Sequence, residues 1–145
     1  MKLIHTSPEE IKTIHAHGLF DDCLFFSSSE YTMTQSDTVF VYSLEQDDEQ
    51  VVAVYELYDE EIVSEIAEKL EISEDDAERV LDGRDSSWNH GGDGEDDWWV
   101  QAKQGECAKK MGYQACESKD EQGTVYIIPM FGREADLNLE RIDAA

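Results

Sequence analysis

The chain has 145 residues, and its 35 acidic and 11 basic side chains give a formal net charge of −24. This length fits one domain, and a hydrophobic content of 40% is enough to bury a core. The charge excludes direct binding to nucleic acid or to an anionic membrane, because both would repel the protein. We therefore expect a single domain over residues 1–145 whose partners carry basic surfaces.

The apolar content of the chain ends and the cysteine pattern indicate a cellular compartment. No apolar stretch is long enough for a signal peptide or a membrane helix. The cysteines Cys23, Cys107 and Cys116 are odd in number and lack Cys-x-x-Cys spacing, which argues against a disulfide framework. We expect a cytoplasmic protein with reduced thiols that are buried as small hydrophobic groups.

Strands are predicted first in chain order. Residues 2–5 form a short opening strand, and Ser7 is a suitable N-cap for a helix that has Pro8 at its first position. Three further apolar runs have the length and composition of strands, namely residues 23–26, 39–42 and 51–55.

The middle of the chain is predicted to be helical. Apolar residues recur every three or four positions over residues 59–71, which predicts an amphipathic helix. Ser73 caps a second helix, and residues 82–97 form a loop that is rich in Gly, Asp and Ser. A third helix is predicted to begin at about Asp97.

Strands return after these helices. Residues 113–117 and 124–130 have strand composition, and they flank a polar turn at residues 119–123. Strands followed by helices and then by strands again predict an α+β fold.

The negative charge is concentrated in the middle. Residues 45–97 hold 21 acidic and three basic side chains, a net of −18, whereas the two ends together carry a net of −6. A run of acids often forms only a solvated face. At this density, docking onto a basic partner surface is an equal alternative.

Three short polar segments stand at the ends of apolar strands, where a sheet can present them to a cleft. They are His5-Thr6-Ser7, the serines after Phe26 together with Tyr31, and the turn Asp120-Glu121-Gln122. Each alone has an ordinary structural explanation, such as a hydrogen-bonded histidine or a surface turn.

Together the three segments resemble an ADP-ribosyltransferase, a family with a His or Arg on the first strand, a Tyr or Ser-Thr-Ser element on the next, and an acid near a late strand. The closer similarity is to phage-encoded anti-CRISPR ADP-ribosyltransferases that act on type I-F surveillance complexes. It is carried by His-Thr-Ser-Pro-x-Glu-Ile at 5–11, Phe-Ser-Ser near 26, Tyr-Thr-Met-Thr at 31–34 and Asp-Glu-Gln-Gly-Thr at 120–124.

The resemblance implies a fold of two small packed antiparallel sheets with an acidic helical insertion at about residues 59–112. It implies a mono-ADP-ribosyltransferase that takes NAD as its substrate and modifies a bacterial CRISPR effector protein at the DNA-recognition surface. The site of action would be the cytoplasm of the host bacterium.

The resemblance also implies roles for individual residues. His5, Thr6 and Ser7 belong to the NAD-binding element, in which His5 bonds a ribose hydroxyl and the Thr6 backbone holds the nicotinamide amide. Ser27 supports the pocket, and Tyr31 stacks on the nicotinamide ring.

The catalytic acid would stabilise the positive charge that develops as nicotinamide leaves. Asp120 and Glu121 are both candidates, because many relatives have a Glu at the start of the following strand and this chain has none there. No arginine adjoins the motifs to bind the pyrophosphate, and the candidate cations are Lys2, Lys12 and Lys119.

Other features have weaker functional interpretations. Trp88, Trp98 and Trp99 are predicted to pack as a helix face on the sheet, with a protein-binding patch as the alternative. Residues 85–96 resemble a calcium loop but lack its glycine and its bidentate Glu, so no metal is expected. The alternative function is that of a non-catalytic acidic DNA mimic that occupies a basic groove.

Overall fold

A computed structural model describes residues 1–7, 23–28, 38–120, 123–130 and 133–144. The helix predicted after Ser7, together with Tyr31 and Glu121, lies outside these residues. The described part contains seven strands and three α-helices, which confirms the α+β prediction.

The strands form two sheets. The first is antiparallel with the order β1-β3-β7, and the second has the order β2-β6-β5-β4. The strands are β1 Lys2–Ser7, β2 Cys23–Phe26, β3 Thr38–Glu45, β4 Val51–Ala53, β5 Ala115–Asp120, β6 Gly123–Pro129 and β7 Asn138–Ala144.

Three helices connect β4 to β5: α1 Glu60–Leu70, α2 Glu74–Leu81 and α3 Gly94–Lys110. Each begins at a side chain that accepts a bond from an otherwise unpaired backbone N–H group, which stabilises the first turn. The three capping residues are Asp59, Ser73 and Asp93.

The second sheet is the middle layer of the fold. Ile127 on β6 packs with the helices, whereas its neighbours Tyr126 and Ile128 pack with Leu3 and Leu44 of the first sheet. Successive side chains on a strand point to opposite faces, so a sheet covered on both faces needs a continuous apolar run. This explains why β2 and β6 are so apolar.

A backbone bridge joins the two sheets. The Ile4 N–H donates to the Ser27 carbonyl at 2.7 Å, and the Ser27 N–H donates to the Ile4 carbonyl at 2.9 Å. The second half of β1, which contains His5 and Thr6, therefore lies beside the end of β2.

The structure corrects one feature of the predicted sheets. β4 pairs with β5 in parallel, so the second sheet is mixed and not purely antiparallel. A parallel pair requires a crossover connection, and the three helices provide it.

Several predicted boundaries also shift. β5 runs to Asp120, so Lys119 and Asp120 belong to the strand and not to the predicted turn at residues 119–123. Val54–Glu56 is a short 3-10 helix and not the end of a strand. The third helix begins at Gly94, before Asp97, because Asp93 and Asp96 form a reciprocal capping box.

Helix α3 lies very close to the second sheet at Gly105. A Cβ atom there would come within 2.6 Å of the Cys23 sulfur and 2.9 Å of the Ile127 side chain.

Among the described helices, none has the length and apolar character needed to cross a membrane.

Candidate functional site

A cleft of about 1200 Å³ opens where the end of β1, the middle of β5 and the loop after α2 meet. Its floor is apolar and includes Val80, Val100 and Val125. Polar groups converge on it from separate segments of the chain. Such a combination is typical of a small-molecule site.

His5 is a partly buried polar group that β1 contributes to the cleft. Its Nδ1 atom lies 2.7 Å from the Phe25 carbonyl oxygen, and its ring packs 5.5 Å from that of Phe26. Burial lowers the pKa of His5, and the bond to the Phe25 carbonyl offsets only part of that effect. The imidazole is therefore neutral at pH 7.

The other predicted residues of the first two segments have different positions. Thr6 lines the cleft beside His5. Ser7 ends β1, and Ser27 is 3% exposed and forms the bridge to β1. Neither serine is among the described residues that line the cleft. The Ser27 backbone thus joins the end of β2 to β1 without lining the cleft itself.

The late acidic segment reaches the cleft through β5. Glu117, Ser118 and Lys119 all line it, and Asp120 follows as the last residue of the strand, paired with Gly123. Sequence reasoning missed Glu117, which lies three residues before the predicted acid Asp120.

The structure brings one of the three candidate cations to the cleft. Lys119 lines the cleft, whereas Lys2 lies 3.5 Å from Glu140 on β7, and Lys12 is outside the described residues. Arg84, in the loop after α2, lines the cleft as well. Sequence reasoning missed it because only the tertiary fold brings residue 84 next to β1.

Arg84 is held in place by Asp82. The guanidinium Nε donates to both carboxylate oxygens of Asp82, at 2.8 and 3.0 Å, and the Arg84 backbone N–H also donates to Asp82. Asp82 is 8% exposed, so it is a fixed anchor for an exposed cation.

The rest of this loop is organised around Asp85, which also lines the cleft. Its carboxylate accepts bonds from the Asn89 amide and the His90 ring, both at 2.7 Å, and from the Ser86 N–H at 2.8 Å. These bonds, led by that from Asn89, lower the pKa of Asp85 to about 2. The carboxylate thus organises the loop through hydrogen bonds.

Ser87 provides an unsatisfied polar group. The residue is 1% exposed and lines the cleft, and its Oγ has no hydrogen-bond partner among the described residues. Leaving a buried hydroxyl unpaired costs about 1–3 kcal/mol. A polar ligand in the cleft would remove that penalty.

The predicted packing is right for one tryptophan and wrong for two. Trp99 is half-buried against the helical core and receives the ammonium groups of Lys69 and Lys103 over its ring. Trp88 and Trp98 are 58% and 47% exposed and line the cleft. They differ because Trp88 belongs to the loop after α2, and Trp98 lies about 100° around α3 from Trp99.

Comparison with known proteins identifies the family. A model of the family described as "Anti-CRISPR Type I-F ADP-ribosyltransferase AcrIF11" matches residues 1–133. A solved structure described as "Crystal structure of an anti-CRISPR protein" is similar, with a TM-score of 0.56 and 25% identity over 88% of each chain. No curated protein matches.

The family match includes every segment that lines the cleft, from His5 on β1 to Val125 on β6. The structural neighbour supports the same arrangement of sheets and helices over most of the chain. These observations confirm the resemblance inferred from the sequence motifs. The chain belongs to the anti-CRISPR type I-F ADP-ribosyltransferase family AcrIF11 and is an enzyme of that class.

Proposed function

We propose that the protein transfers ADP-ribose from NAD to a protein of the type I-F CRISPR machinery, at the surface that recognises DNA. The observation that carries this proposal is the cleft, which is lined by the partly buried, neutral His5 and by Arg84 anchored on Asp82. Its volume of about 1200 Å³ is sufficient for a dinucleotide.

The polar groups of the cleft suit NAD. The Phe25 carbonyl can only accept a hydrogen bond, so Nδ1 of His5 carries the proton and Nε2 is free to accept one from a ribose hydroxyl. Arg84 and Lys119 supply positive charge for the pyrophosphate, and Ser87 has an unused hydroxyl. In this proposal Tyr31 covers the nicotinamide ring.

The chemistry requires a carboxylate near the nicotinamide ribose. The bond between ribose C1 and the nicotinamide nitrogen breaks with its electron pair going to nicotinamide. An acceptor side chain bonds to C1 and releases a proton. Because positive charge develops on the ribose, a fixed anion lowers the barrier.

Asp120 and Glu121 remain candidates for this catalytic carboxylate. Glu117 is a third candidate because it lines the cleft.

The acceptor is proposed to be basic. The acidic segment 45–97, with its net charge of −18, contains the loop that borders the cleft. A CRISPR effector must carry lysines and arginines where it contacts DNA, so opposite charge would steer the enzyme there. ADP-ribose adds bulk and two phosphates, which would repel DNA from the modified surface. The site of action is then the cytoplasm of the infected bacterium.

The test is incubation of the protein with NAD and a purified type I-F surveillance complex, followed by mass spectrometry for an added ADP-ribose. We expect modification at substoichiometric enzyme, and a rate that falls steeply with salt. The variants Asp120→Asn, Glu121→Gln and Glu117→Gln, compared side by side, identify the acid as the one whose loss abolishes transfer. Tyr31→Ala is expected to weaken NAD binding.

The charge of −24 also favours the second candidate, an acidic mimic of DNA. A mimic acts stoichiometrically, needs no NAD, and weakens as several acids are neutralised. Inhibition of DNA binding by the complex in the absence of NAD would therefore replace the transferase proposal with this one.

A further inference from the structure

Three aromatic side chains from separate segments stand exposed along the cleft. Tyr55 follows β4, Trp88 belongs to the loop after α2, and Trp98 lies on α3, with exposed fractions of 72%, 58% and 47%. All three line the cleft. Together they form what we call the aromatic rim.

The surroundings of the aromatic rim are acidic. Trp98 directly follows Glu95, Asp96 and Asp97, and Trp88 lies three residues after Asp85. The face of an aromatic ring attracts cations, and neighbouring carboxylates strengthen that preference.

Helix α3 already contains an internal example of this interaction. The Lys69 and Lys103 ammonium groups lie 5.2 and 5.4 Å from the ring centre of Trp99, the residue next to Trp98. The Trp99 ring thus contacts two cations within the protein, and the adjacent Trp98 places an indole ring of the same kind at the cleft.

We propose that the aromatic rim of Tyr55, Trp88 and Trp98 docks arginine and lysine side chains of the acceptor protein. This inference rests on the proposed transferase function and divides the roles of the cleft residues. His5, Arg84 and Lys119 take NAD, and the aromatic rim holds a cationic segment of the acceptor. Exposed tryptophan and tyrosine are common anchors in protein interfaces.

The probe is a short labelled peptide of alternating arginine and serine, with a glutamine-for-arginine peptide as its neutral counterpart. Binding is measured by fluorescence anisotropy to the wild type and to a variant combining Trp88→Ala and Trp98→Ala. We expect saturable binding of the arginine peptide only, weakened about tenfold in the double variant by loss of two cation–ring contacts.

The matched control is Tyr58→Ala, which removes a 53% exposed aromatic ring that does not line the cleft. It should bind the peptide as the wild type does. A second double variant, Trp88→Leu with Trp98→Leu, keeps apolar bulk without an aromatic face and should lose affinity like the alanine variant. Full affinity in either double variant would overturn the proposal.

NAD binding by calorimetry separates the two proposals. In the double variants NAD affinity should equal that of the wild type. A loss of NAD affinity with unchanged peptide affinity would show that the rings stack on the dinucleotide, which overturns the docking proposal. If the wild type itself binds no NAD, the transferase proposal fails, while the peptide measurement still decides the chemistry of the aromatic rim.

Discussion

The Nδ1 atom of His5 lies 2.7 Å from the carbonyl oxygen of Phe25, and this contact joins the two sheets at the cleft. A carbonyl only accepts hydrogen bonds, so the contact fixes the proton on Nδ1 and leaves the Nε2 lone pair available. The backbone bridge between Ile4 and Ser27, one residue before and two residues after this pair, holds the geometry.

The first prediction concerns the pH dependence of NAD binding. Burial lowers the pKa of His5, so the folded protein keeps the neutral ring below pH 6.5, the ordinary value. NAD affinity should be level at neutral pH and should fall once acid protonates Nε2, because a protonated Nε2 cannot accept a hydrogen bond. Calorimetry between pH 5 and 8 measures this on the wild type.

The matched variant is His5→Asn, whose amide nitrogen can replace Nδ1 as donor while the Nε2 acceptor is lost. We expect a folded protein with NAD affinity about 2- to 10-fold weaker and with no acid-side decline from this residue. The free energy of unfolding should respond in the same direction. Below pH 6.5 the unfolded state binds the proton more readily than the folded state, so lowering the pH destabilises the wild type more than the variant. Identical pH profiles for both proteins would contradict the assignment.

The second prediction concerns Arg84. Arg84→Ala should weaken NAD binding about tenfold or more, because a charge-assisted hydrogen bond contributes about 1.5–3 kcal/mol. Arg79→Ala on α2 is the control, since it makes the same charge change at an exposed arginine that pairs with Asp76 outside the cleft. Equal effects from the two variants would indicate that only overall charge matters.

The third prediction concerns the loop that carries Arg84 and Trp88. Asp85→Asn removes the charge that the Asn89 amide and the His90 ring bind, so hydrogen exchange over residues 85–92 should become faster. Transfer activity should decline with it. Asp75→Asn, at an exposed position of α2, is the control for the lost charge and should leave both measurements unchanged.

The same carboxylate makes the loop sensitive to acid. Folding lowers the pKa of Asp85 from 3.8 to about 2, so its stabilising contribution is present above about pH 4. That contribution disappears as the pH falls from about 4 to 2, because the folded carboxylate becomes protonated in that range. In the Asp85→Asn variant, the free energy of unfolding should lack the part of its decrease between about pH 4 and 2 that protonation of Asp85 causes. Denaturant unfolding at several pH values measures this.

The fourth prediction concerns the packing of α3. Gly105→Ala should reduce the free energy of unfolding by about 1–3 kcal/mol, because the added methyl group would clash with Cys23 and Ile127. The better helix propensity of alanine offsets only part of this. Gly94→Ala is the control, since nothing lies within 4 Å of its Cβ position, and it should be neutral or slightly stabilising. Denaturant unfolding of both variants measures the difference.

Local chemistry made much of the fold predictable from the sequence. The apolar run at Cys23–Phe26, the helical period of Glu60–Leu70 and the cap at Ser73 depend on near neighbours in the chain, and the structure confirms all three. The short motifs at residues 5–11, 26–34 and 120–124 together also indicated the family, because each motif is a run of adjacent residues. The charge of the acidic segment needs no structure at all.

Tertiary structure alone decided how distant segments meet. Arg84, Ser87 and Glu117 gave no signal as site residues, because each reaches the cleft only after the helices cross over the second sheet. The parallel pairing of β4 with β5 and the exposure of Trp88 and Trp98 have the same origin. Periodicity records which side of an element is apolar, whereas the contact partners depend on long-range packing that neighbouring residues do not encode.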